Sequence, residues 1–171
     1  MKILFTLLAL TITFSMNAQL TAVTEGGNTG QRLSTSNASN HGDIGSNAVD
    51  LSYSSSSSST RGATGNSSTA MGYNTTASGG RSTAMGSQTT ASGNYSTASG
   101  NWSTASADYS TAMGSGTTAS GNQSTAMGSN TTASGDYSTA TGRNTTASGQ
   151  ASTTMGYQTT ASDYLLSLIH I

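Results

Sequence analysis

From Arg61 to Leu165 the small, apolar and polar positions recur every seven residues, fifteen times without a slip. In phase the pattern reads Ser/Thr-Thr-Ala-x-Gly-x-x. The third position is Ala in every copy but the one holding Thr154, and the fifth is Gly except at Ala107 and Asp163. The fourth position alternates and so doubles the period. One set of copies carries Met71, Met85, Ser99, Met113, Met127, Thr141 and Met155. The other carries Thr64 and then Ser in each copy from Ser78 to Ser162. A fixed period without gaps marks stacked structural units.

Each heptad fits a short strand of Thr and small residues followed by a two-residue corner. Corner positions six and seven hold turn formers such as Asn94, Asn122 and Asn130, and the Gly before them accepts backbone angles closed to other residues. Helix is disfavoured, because Thr, Ser and Gly are poor helix formers and no apolar stripe recurs at 3.6 spacing. Strand alternation points positions one, three and five to one side and two and four to the other. The uniformly small Ala–Gly side suits the inside of a thin coil. The predicted fold is all-β: a parallel β-roll, or solenoid, of 14-residue coils with two strands each. Seven such coils make a rod of about 35 Å. Met71, Met85, Met113, Met127 and Met155 form one apolar ridge, which a lone roll leaves exposed. Exposed apolar stripes mark interaction surfaces, so these five residues are the expected interface between copies of the chain.

Composition narrows the picture. The 171 residues carry a net charge of −1, with 6% charged residues and neither Cys nor Pro. No basic stripe points to nucleic acid, and no disulfide framework is available. The run Ser54–Ser59 reads as disordered. Residues 1–18 read as a secretory signal: Lys2, an apolar stretch from Ile3 to Phe14, and Ala18 before the cut. The expected divisions are a signal at 1–18, a cap or lead-in segment at 19–60, repeats at 61–163 and an out-of-pattern tail at 164–171, read as a truncation or artefact. No membrane anchor is visible after the signal.

Candidate chemistry is sparse. His41 and His170 are the two histidines, and Asp108 and Asp136 share one corner position two coils apart, about 10 Å. That leaves no acid–base dyad and no crowded oxygen site, so no catalytic residue, metal or cofactor is expected, and the chain is not read as an enzyme. Corner aromatics are the candidate ligand contacts: Tyr95, Tyr109 and Tyr137 in one file, with Trp102. Asn-x-Ser/Thr sequons at Asn74, Asn101, Asn130 and Asn144 are by-products of the repeat. The Thr-x-Ser files also suit an ice-binding solenoid, although such arrays favour Thr in both ranks.

The stretch Ser82-Thr-Ala-Met-Gly-Ser-Gln-Thr-Thr-Ala-Ser-Gly-Asn-Tyr95 resembles the head repeat of YadA-like trimeric autotransporter adhesins, N-S-V-A-I-G-x-x-S-x-A-x-G-x-x-S. Thr replaces the family's Val and Met its Ile. Gly45 to Tyr53 looks like the lead-in strand found before such repeats. The resemblance implies a left-handed roll, a homotrimer, display on the outer membrane of Gram-negative bacteria, and attachment to host cells, matrix proteins or other surfaces. An alternative is a non-binding spacer of a longer secreted or tail-fibre-like protein. The family's neck, coiled-coil stalk and β-barrel anchor do not follow in these residues.

Overall fold

A computed structural model describes residues 20–34 and 36–169. The expected signal at 1–18 and His170 lie outside the described residues. The repeats form the predicted parallel solenoid. Its two sheets run the length of the rod, one of 11 strands and one of 8. Apart from a single 3-10 turn at Ala38–Asn40, the described residues form strands, turns and loops.

The two heptad types fold differently. Met-type copies form five-residue strands covering positions two to six, such as Thr83–Ser87 and Thr111–Ser115. Ser-type copies form two-residue strands, such as Thr90–Ala91 and Thr118–Ala119. Each strand pairs in parallel with the one 14 residues on: Thr111 with Thr125, Ala112 with Ala126, Met113 with Met127. The expected strand of five residues per heptad therefore holds for only one of the two sheets.

Ala at position three is fully buried in both sheets, from Ala70 to Ala161, and so are the Ser and Thr hydroxyls of position one. The outward side holds Thr at position two, half-buried, and Met, Ser or Thr at position four. The expectation that position five faces inward needs correction. Its Gly is buried in the Ser-type copies but partly exposed in the Met-type ones. What these glycines share is a close approach along the rod axis: a Cβ on Gly114 would lie 1.9 Å from the carbonyl oxygen of Gly128. Gly79, Gly121 and Gly135 each donate from N–H to the Ala carbonyl of the next coil at 3.2–3.3 Å. Ala107 makes no such bond, although its neighbours Ser106 and Tyr109 keep their bonds between coils at 3.0 and 2.8 Å.

The tight corner falls at positions six and seven, as expected. Position seven adopts left-handed backbone angles in every copy, with φ between +51° and +65°, and the position-five Gly of the Met-type copies also takes positive φ, between +110° and +131°. Fourteen of the fifteen position-seven residues carry a side chain, Gly116 being the exception. Asn74, Asn130 and Asn144 tolerate this region well, whereas Gln88, Trp102 and Ala151 are held in it by the coils above and below. Each position-seven N–H donates to the position-six carbonyl one coil earlier, as Tyr109 does to Asn94 at 2.8 Å.

The stack also extends beyond the exact repeat. Strand β3 (Val49–Tyr53) pairs with Thr69–Tyr73 across 20 residues, six more than one coil. The extra six belong to the serine run. Rather than being disordered, that run is a tied loop: Arg61 Nη1 donates to Ser54 Oγ (2.9 Å) and Ser56 Oγ (2.8 Å), and Asn40 Nδ2 to the Ser54 carbonyl (2.7 Å). Ahead of it, β1 (Leu20–Glu25) and β2 (Asn28–Leu33) form an antiparallel hairpin, and β2 docks on β3. Beyond Asp163, where the sequence pattern breaks, Ser167–Ile169 still pairs with Thr153–Met155 at the 14-residue offset.

Candidate functional site

Three surfaces deserve weighing as sites, and the first is the outer face of the long sheet. Exact register sets position four in one file: Leu51, Met71, Met85, Ser99, Met113, Met127, Thr141, Met155 and Ile169. A parallel file of Thr at position two runs beside it. Met113 and Met155 are 39% and 44% exposed, and the other three repeat methionines are half-buried. The backbone thus brings all five expected interface methionines onto one ridge, with no charged side chain at positions two or four of these strands.

The second surface is the corner that follows each short strand. It carries Arg81, Tyr95, Tyr109, Gln123, Tyr137 and Ala151 at position seven, one per coil. Tyr95 and Tyr109 stack with ring centres 4.8 Å apart and planes 3° from parallel. Position six beside them forms a ladder: Asp108 Oδ1 accepts from the Asn94 N–H and Asp136 Oδ1 from the Asn122 N–H, each at 2.8 Å. Trp102, 62% exposed, lies on the other corner, after a long strand. The four candidate ligand contacts therefore do not converge: Tyr95 and Tyr109 touch, Tyr137 is two coils further on, and Trp102 occupies a different edge.

The third surface is a polar cluster that the sequence reading missed. Asp50 occupies the Ala position of its coil and is fully buried. Its Oδ2 lies 3.0 Å from His41 Nδ1 and 3.3 Å from Arg32 Nε. Its Oδ1 accepts from the Ser52 hydroxyl (2.6 Å) and N–H (3.0 Å). Arg32 continues to Glu25 at 2.8 Å and donates to the Gly42 carbonyl at 2.9 Å. Gly62 makes room: a Cβ there would sit 2.4 Å from Asp50 Oδ2. Burial pushes the Asp50 carboxyl up, but the hydrogen bonds from His41 and Ser52 outweigh it and hold it below the usual aspartate range. Aligning Ala48-Val-Asp-Leu51 with Ser-Thr-Ala-Met would have exposed the buried acid. Arg32 is the only Lys or Arg between Lys2 and Arg61, and so its natural partner.

This cluster plugs the start of the stack and does not have the geometry of a Ser–His–Asp relay. His41 Nδ1 faces Asp50 and is also the nitrogen 3.4 Å from Ser52 Oγ, so the ring cannot relay a proton from Ser to Asp through its two nitrogens. Beside it lies an open dish of about 640 Å³, lined by Ser39, His41, Asp43, Ser57, Ser58 and Thr64 among others. Among the described residues no three His, Asp or Glu side chains converge as metal ligands would. No helix among them is long and apolar enough to cross a membrane.

With coil length, register and the buried Ala file in view, the comparison with known families is decisive. The model for the YadA head domain repeat matches residues 63–89, 91–117 and 119–145. These repeats belong to the YadA head family. The match covers six two-strand coils' worth of the regular stack, including Met71, Met85, Met113 and Met127, and is to an adhesin-type head module. No curated protein matches the chain.

Proposed function

We propose that this chain is the head of an exported bacterial surface adhesin, that residues 1–18 direct its export, that its roll is left-handed, and that three copies associate through the Met–Thr face. The observation that carries the reading is the in-register methionine ridge on a YadA-type head. An interior of Ala, Ser and Thr buries little apolar area at roughly 25 cal/mol per Å², while each ordered residue costs about 1–2 kcal/mol of backbone entropy. Covering the ridge with two further copies adds the apolar burial that one thin roll lacks. Repetition on a trimer then turns weak single contacts into avidity for matrix or cell-surface ligands.

Light scattering on the mature chain tests the assembly. Trimers are expected, and Met85→Glu with Met113→Glu, which sets carboxylates on the ridge, is expected to abolish them. A folded wild-type monomer overturns the assembly. Adherence to matrix-coated surfaces by the intact trimer tests the attachment role; a trimer that binds none of the presented surfaces and cells favours the spacer reading instead.

A further inference from the structure

We propose that the gap between Tyr109 and Tyr137 on the short-strand corner receives an arginine side chain of a protein partner. The inference deepens the attachment reading above and rests on it, by naming the chemistry the head would grip.

The corner already displays this chemistry within the chain. The Arg81 guanidinium lies 5.2 Å from the centre of the Tyr95 ring, and its Nη1 donates to the Tyr95 hydroxyl at 2.8 Å. Tyr95 in turn stacks on Tyr109. The file therefore begins as cation, ring, ring, with one group per coil. The shared left-handed backbone at position seven makes this regular: φ is +58° at Arg81, Tyr95 and Tyr109, and +61° at Tyr137.

At Gln123 the stack is interrupted. Tyr109 and Tyr137 are 57% and 56% exposed and two coils apart, on the order of 9.6 Å along the rod. One planar group in contact with a ring on each side needs about 7–8 Å, so the gap admits one, with the Gln123 side chain moved aside. Asp108 and Asp136 precede the two tyrosines. Each commits Oδ1 to the corner ladder, and among the described residues Oδ2 of each accepts no hydrogen bond. From residue 82 to residue 142 the chain has no Lys, Arg or His, so no internal cation answers these carboxylates. A guanidinium suits this site better than an ammonium: it is planar, stacks on aromatic faces and presents several donors at once.

The test uses the mature full chain and two synthetic probes, a Gly-Arg repeat peptide and the same peptide with citrulline, the neutral isostere, at each Arg. The Arg peptide is expected to bind at least tenfold more tightly, with affinity falling as salt rises. Gln123→Tyr, which places at this position the residue its neighbours carry, fills the gap and is expected to weaken binding at least fivefold. Asp136→Asn acts in the same direction, while Gln158→Ser on the opposite corner leaves affinity unchanged. Equal binding of the two peptides, or undiminished binding by Gln123→Tyr, overturns the proposal. So does binding of glycans alone, which would assign the gap to sugar rings. Oligomeric state and adherence are read on the same samples: a trimeric, adherent Gln123→Tyr variant that has lost only the Arg peptide separates this site from the general attachment reading.

Discussion

The first coils and the regular stack share one backbone path but stabilise it by opposite means. In the stack the inward position is Ala, fully buried and free of charge from Ala70 to Ala161. In the first coils the same position holds Arg32 and then Asp50, buried at 3% and 0% exposure. Identical coils can pair in many registers, since a slip of one whole coil returns the same contacts. A buried acid that meets its cation in only one alignment removes that freedom. Buried ion pairs are poor sources of net stability but good specifiers of register, and here the plug stands where the irregular hairpin and loop must join a repetitive rod.

Breaking the plug is the strongest way to probe that contrast. Asp50→Ala restores the residue the repeat prefers, yet it is expected to cost about 3 kcal/mol, at the low end for orphaning a buried charge because Arg32 keeps Glu25. Adding Arg32→Leu should recover much of the loss. Denaturant unfolding of the single and double variants measures both effects, and a neutral Asp50→Ala would remove the plug's assigned role.

Acid offers a milder version of the same break. Asp50 titrates below its ordinary value of 3.8 in the folded chain, so its contribution is fully present above that pH. It is lost as the pH falls through the lowered folded value. Amide exchange in β3 is expected to quicken below about pH 4, while Ala112 and Ala126, in coils without an inward ionisable group, keep their protection. Uniform loss along the rod would contradict this division.

The smallest effect belongs to the corners of the stack. Ala151 sits at φ +54°, and Ala151→Gly relieves that strain against the greater flexibility glycine adds to the unfolded chain. A net gain of about 0.5–1 kcal/mol is expected. Thermal melting checks it, and a destabilised variant would mean that the Ala methyl contributes packing worth more than the strain.

Periodicity alone was enough to derive the coil length, the parallel stacking, the Ala interior and the methionine file, because each is a local rule applied fifteen times. The family resemblance was equally legible in Ser82–Tyr95. Three features were not. The left-handed corner falls on Tyr, Trp, Arg and Gln, residues with no preference for it, because neighbouring coils impose the angle through their backbone hydrogen bonds. The serine run is ordered because Arg61 and Asn40 reach it, contacts that composition does not reveal. The plug unites Glu25, Arg32, His41, Asp50 and Ser52 from segments of unequal spacing. Only the folded path, with its six-residue excursion before Arg61, brings those groups within 3 Å or so of one another. Local repetition thus determined what every coil looks like, whereas long-range packing decided how the first ones are locked in register.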